Sequence, residues 1–160
     1  MATKQQQMQK LFHHYKDITG KTDIDVHSKE FIDFAISKGW PLPKPTDPRD
    51  LLAQKFSSAL RDEIKYDNKT KMPYRVNHCY AVKKGDKQIH FWIDIDEAPR
   101  KTMRKSAVMR RNQVVGDVLQ LTLDLDHWNS VNPNEKPIYM PTDFTEDVEE
   151  RKNAPVEKAG

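Results

Sequence analysis

Residues 99–128 read PRKTMRKSAVMRRNQVVGDVLQLTLDLDHW. Whether this stretch is one helix, or a helix followed by a strand, decides the fold. Its first part carries Arg100, Lys101, Arg104, Lys105, Arg110 and Arg111; its second carries Val114, Val118, Leu121, Leu125 and Trp128 with Asp117, Asp124 and Asp126. The run from Leu119 to Leu125 alternates like a strand. The wider pattern is helical, because Met103 and Ala107 extend the valine and leucine stripe backwards at three- and four-residue spacing. A single long helix is therefore expected, opened by Pro99 and capped by Asp96 or Glu97. Gly116 costs such a helix about 1 kcal/mol relative to alanine and marks a bend or a close approach.

The same stretch is where the charge of the chain changes sign. Residues 1–111 hold 23 of the 27 Lys+Arg and 14 of the 24 Asp+Glu, a net of +9; residues 112–160 have a net of −6. A polyanion partner for the basic part is one explanation of this asymmetry, and the acidic end folding back on the basic body is the other.

Upstream, three helices are expected. Met8, Leu11, Phe12 and Tyr15 form the stripe of the first, between Thr3 as N-cap and Gly20 as stop. Phe31, Ile32, Ala35 and Ile36 form that of the second, capped by Ser28 and ended by Gly39. Pro41, Pro43 and Pro45 then force an extended path, pinned by Trp40 and Leu42. Asp47 caps the third helix and Pro48 starts it. Its buried face is Leu52, Phe56, Ala59, Leu60 and Ile64, and its polar stripe is Gln54, Ser57, Ser58, Arg61 and Lys65. Two strands follow, Tyr74 to Val82 and Gln88 to Asp96, with a turn carrying Lys83, Lys84 and Lys87. Val76, His78, Tyr80 and Val82 share one side of the first; Ile89, Phe91, Ile93 and Ile95 share one side of the second, with Trp92 on the other. Downstream, Ile138 to Met140 read as a short strand and Thr145 as the cap of an acidic last turn.

Three helices and a hairpin, in that order, resemble winged helix-turn-helix DNA-binding domains. The resemblance covers residues 4–96 at the level of pattern. It implies an α+β fold: a three-helix winged-helix-like domain with a β-hairpin (1–98), a long C-terminal helix and acidic closing segment packing on it (99–152), and a disordered tail (153–160). It further implies that Gln54, Ser57, Ser58, Arg61 and Lys65 face bases or phosphates from the third helix, while the hairpin lysines hold the backbone. The connection from Gly39 to Asp47 is longer than a standard helix-turn-helix turn, which leaves the crossing geometry open. Arg100, Lys101, Arg104, Lys105, Arg110 and Arg111 add an array suited to neutralising phosphates.

The expected function is thus nucleic-acid binding, with DNA as partner, in a transcriptional regulator rather than an enzyme. The alternative is a protein-interaction or homodimerisation module in which Val114, Val118, Leu121, Leu125 and Trp128 form the seam or pack on the same chain. A small metal-dependent nuclease is a remote alternative, resting on Glu63 and Lys65 with Asp94 and Asp96; a helical setting for Glu63 and Lys65 counts against it. No catalytic residue, metal ligand set, cofactor or small-molecule ligand is implied. His78 and His90 lack a third ligand, and the single cysteine, Cys79, excludes an intrachain disulfide. There is no apolar run of membrane-spanning length and no signal-peptide core at the start of the sequence, so a cytoplasmic location is expected.

Overall fold

The computed structural model describes residues 1–20 and 25–154. Over them the chain runs α1 (Lys4–Thr19), α2 (Ser28–Ser37), α3 (Pro48–Asp62), β1 (Ile64–Tyr66), β2 (Pro73–Arg75), β3 (Asn77–Lys84), β4 (Lys87–Asp94), α4 (Arg100–Val131) and α5 (Thr145–Asn153). This is an α+β protein with two small antiparallel sheets, β1–β2 and β3–β4. The chain divides into two units, Met1–Ala53 and Gln54–Gly160, and the division falls inside α3.

The first unit is built on α1 and α2. Thr3 caps α1 as expected, and Gln6 completes a capping box by returning its side chain to the Thr3 backbone N–H. Gly20 ends the helix at φ 64°, a left-handed conformation that glycine adopts without a Cβ penalty. The two helices meet through aromatic rings. Tyr15 lies 5.7 Å from Phe31 and 4.9 Å from Phe34, and Phe12 lies 5.1 Å from Phe31. Tyr15 and Ala35 are buried there. Ser28 is not the cap of α2: His27 holds that position and makes no side-chain cap bond. Leu42 is 72% exposed and pins nothing, since the proline path holds it extended away from neighbours, whereas Trp40 is half-buried and donates its backbone N–H to the Ala35 carbonyl. Asp47 does start α3, accepting the Arg49 N–H at 2.8 Å.

The expected third helix is cut short. It ends at Asp62, and Ile64–Tyr66 is strand β1, paired with Pro73–Arg75. Ile64 and Lys65 therefore leave the stripes assigned to them. Ladder partners on β2, and the Val76 N–H bonded to the Glu63 carbonyl, satisfy this backbone better than another helical turn. Nor does α3 bury a face. None of its residues is buried, and Leu52 and Phe56 are 55% and 62% exposed. The strand expected from Tyr74 to Val82 is broken at Val76, with the sheet partner changing from β1 to β4.

In the second unit, β3 and β4 pair in register from Asn77↔Asp94 to Lys84↔Lys87 across a turn at Gly85–Asp86. Gly85 at φ 62° supplies the positive φ that a two-residue turn of this hand requires at its first central position. α4 is one continuous helix of 32 residues, about 48 Å long. The helical reading of residues 119–125 holds. Its cap is Pro99, without a side-chain bond, and not Asp96 or Glu97; the Asp94 carboxylate instead accepts the Asp96 N–H. Gly116 marks no close approach, as nothing lies within 4 Å of where its Cβ would be. Ser106, wholly buried, anchors α4 on the hairpin through a 2.8 Å bond from its Oγ to the Cys79 carbonyl.

Beyond Val131 the chain folds back along α4. Asn129 stands in for a strand partner: its Nδ2 donates to the Ile138 carbonyl and its Oδ1 accepts the Ile138 N–H, both at 2.9 Å. With both backbone groups of Ile138 satisfied by a side chain, residues 138–140 form no strand. Ile138, Tyr139, Met140 and Thr142 enclose a 210 Å³ hollow with Leu121 and Leu125. Thr145 is the first residue of α5, not its cap; Asp143 accepts both its N–H and its hydroxyl. These two bonds hold the Asp143 carboxyl below the usual range. Of the expected tail, residues 155–160 lie outside the described residues.

Candidate nucleic-acid interface

Direct pairing puts Asn77, Asp94, Cys79, Trp92, Ala81, His90, Lys83 and Gln88 on one face of the hairpin. The other face carries the expected apolar set, with Tyr80 stacked on Phe91 at 5.6 Å. Two grooves open where α4 crosses the hairpin, and Met109 lines both.

The larger groove, of ≈ 830 Å³, has Ala81 and Gln88 as its floor and Arg100, Lys101, Arg104 and Lys105 along its helical wall. The four cations are exposed. None makes an ion pair or a side-chain hydrogen bond among the described residues, and no carboxylate lines the groove. The period of the helix explains the array. Positions i, i+1, i+4 and i+5 fall on one flank, so four charges line one side of the groove. Lys83 shares the hairpin face of Gln88 and extends this surface; Lys84 and Lys87 belong to the opposite face.

The smaller groove, of ≈ 320 Å³, lies on the other flank of α4 and is lined by Arg61, Arg75, His90, Trp92, Arg110 and Gln113 among others. The Arg61 guanidinium lies over the Trp92 ring, 5.7 Å from its centroid. The side chains of Arg75, His90 and Arg110 have no hydrogen bond or ion pair among the described residues. Asn77 is committed elsewhere, to the Leu60 carbonyl and, at 2.7 Å, to the Glu63 carboxylate. The buried His78 ring donates from Nε2 to the Arg75 carbonyl at 2.9 Å, which fixes that strand break.

Of the residues expected to bind, the fold thus gathers Arg100, Lys101, Arg104 and Lys105 at one groove and Arg61 and Arg110 at the other, with Lys83 on the hairpin face that floors the first. Gln54 and Ser58 are exposed on α3 and Ser57 is half-buried; none lines either groove. Lys65 is on β1, and Arg111 lines neither groove. Arg75, His90 and Trp92 had gone unassigned. The one available signal was strand alternation, which sets Trp92 apart from the apolar side of β4.

The acidic closing segment leaves these cations unpaired. The single ion pair among the described residues that involves α5 is internal to it, Lys152 to Glu149 at 3.0 Å. The residues expected to form a seam are divided. Leu125, half-buried, and Leu121, still exposed, line a hollow with the returning chain; Val114 and Trp128 are exposed and Val118 is half-buried. Among the described residues no group of three His, Cys, Asp or Glu side chains is placed to hold a metal ion. No described helix is long and apolar enough to cross a membrane. Comparison with known protein families, curated proteins and solved structures finds no match to this chain.

Proposed function

We propose that this chain is a cytoplasmic nucleic-acid-binding protein, acting in regulation on DNA, whose interface is the surface where α4 crosses the β3–β4 hairpin. The observation that carries the reading is the larger groove. Four exposed cations line it, no carboxylate does, and among the described residues the acidic segment forms no ion pair with them. Unpaired charges held on a rigid helix suit a partner with regularly spaced phosphates, because each contact releases condensed counterions. The winged-helix version, with α3 in a major groove, has the exposed Gln54 and Ser58 in its favour. Against it stands α3's lack of a buried face, since a recognition helix is positioned by packing its back.

The test is retention of labelled DNA measured by fluorescence anisotropy across a salt series. Neutralisation of about four phosphates predicts roughly a 10²-fold loss of affinity between 50 and 200 mM salt. No retention at the lowest salt sinks the reading. The second reading, a protein-interaction module, is favoured by Val115, Leu119 and Leu123, which are exposed along the later turns of α4. Sedimentation of the protein alone distinguishes a self-associating chain from a monomer that assembles only with nucleic acid.

A further inference from the structure

The larger groove is lined mainly by charge, with Gln88 and Asn112 as its neutral polar groups, and holds no aromatic ring. The smaller groove is different. It is lined by an indole, three arginines and two histidines in ≈ 320 Å³, His78 being already bonded to the Arg75 carbonyl, and Met109 joins it to the larger groove. We propose that the smaller groove takes an unstacked base of a single-stranded nucleic acid against Trp92, with the phosphates on either side running past Arg110 and into the array from Arg100 to Lys105. The inference deepens the nucleic-acid reading above and rests on it.

Three observations support a single strand over a duplex. Trp92 offers a ring with a cation over it, Arg61 at 5.7 Å; that spacing is too short for a base between them, so a base takes the place of Arg61 on the indole and the guanidinium turns to a phosphate. Arg75, His90 and Arg110 converge there without hydrogen-bond or ion-pair partners among the described residues, so the site has donors to spare. The groove is a concavity between helix and sheet. A duplex presents a convex backbone with its bases stacked inside, and it can reach Trp92 only by giving up a base pair. Stacking tolerates any base, which predicts weak sequence preference; ribose and deoxyribose strands share the chemistry.

The experiment uses the full chain with Trp40→Phe and Trp128→Phe, which leaves Trp92 as the only tryptophan. Short oligo-dT, oligo-rU and a duplex of equal length are titrated at one salt concentration, with anisotropy and intrinsic fluorescence read together. The expected result is tighter binding of at least one single strand than of the duplex, by about tenfold or more, with Trp92 quenched along the same isotherm. Trp92→Ala weakens single-strand binding by roughly tenfold, the usual range for loss of one stacking platform, and Trp92→Phe restores part of it. Because the quenching arm retains Trp92, a folding defect in the alanine variant does not blunt the test. Duplex bound as tightly as single strand with Trp92 unquenched overturns this inference and leaves nucleic-acid binding standing. Failure of all three ligands to bind at low salt overturns both.

Discussion

The early turns of α4 lie on the β3–β4 hairpin and bury Ser106 completely, whereas the later turns bury no residue and leave Val115, Leu119 and Leu123 exposed. Apolar content alone would have put the anchor at the other end. The difference lies in contact geometry. A serine lets the helix approach the sheet closely and gives its hydroxyl to the Cys79 carbonyl, so the polar half is held by a short side chain. The leucine-rich half meets only the returning segment around Ile138. The cations of the anchored half are thereby fixed in position, and fixed charge is more useful for binding than charge on a mobile arm.

The comparison is broken most directly by charge. Changing Arg100, Lys101, Arg104 and Lys105 to Glu is expected to lower affinity for nucleic acid by 10²-fold or more and leave the circular dichroism unchanged; an unchanged affinity would move the interface elsewhere. Next comes the anchor. Ser106→Leu overfills a fully buried site and should cost about 1–3 kcal/mol, read as a lower urea midpoint. Asn129→Ala removes both bonds to Ile138 at an exposed site, with an expected loss of about 1 kcal/mol and faster hydrogen exchange at the Ile138 N–H. Leu119→Ser, in the bare half, should change stability by no more than about 0.5 kcal/mol. A larger drop that grows on dilution would mean that a second copy covers this face.

The smallest effect is a pH dependence in the β1–β2 turn. The backbone N–H groups of Thr70 and Lys69 hold the Asp67 carboxyl below its ordinary value. A depressed folded value means stabilisation that is present above the unfolded value and lost as pH falls through the folded one. Acid should loosen this turn, and Asp67→Asn should flatten that dependence. Tyr74 runs the other way. Its partial desolvation and the nearby Asp96 raise its value, so its contribution is present below the unfolded value and lost in strong alkali. Amide chemical shifts across residues 67–75 report both.

Local rules read from the chain held for Thr3 and Gly20 at the ends of α1, Asp47 before α3 and Gly85 in the hairpin, while the caps expected at Ser28, at Asp96 or Glu97 and at Thr145 lie one to three residues off. They failed where two local solutions compete. Ile64 and Lys65 follow a helical stripe, yet become part of a strand because β2, seven residues beyond Tyr66, supplies partners. Both grooves beside α4 are floored by the face of Trp92, opposite the side of the hairpin that carries Tyr80 and Phe91.

The sequence by itself determined the long helix, the hairpin register and the cationic flank, because periodicity and turn chemistry act over a few residues. Only the tertiary structure decided which flank meets a groove, that Arg61 lies over Trp92, and that the acidic segment leaves the cations free. Those facts join residues a dozen or more positions apart, and no short-range preference encodes which face of a helix a sheet will meet.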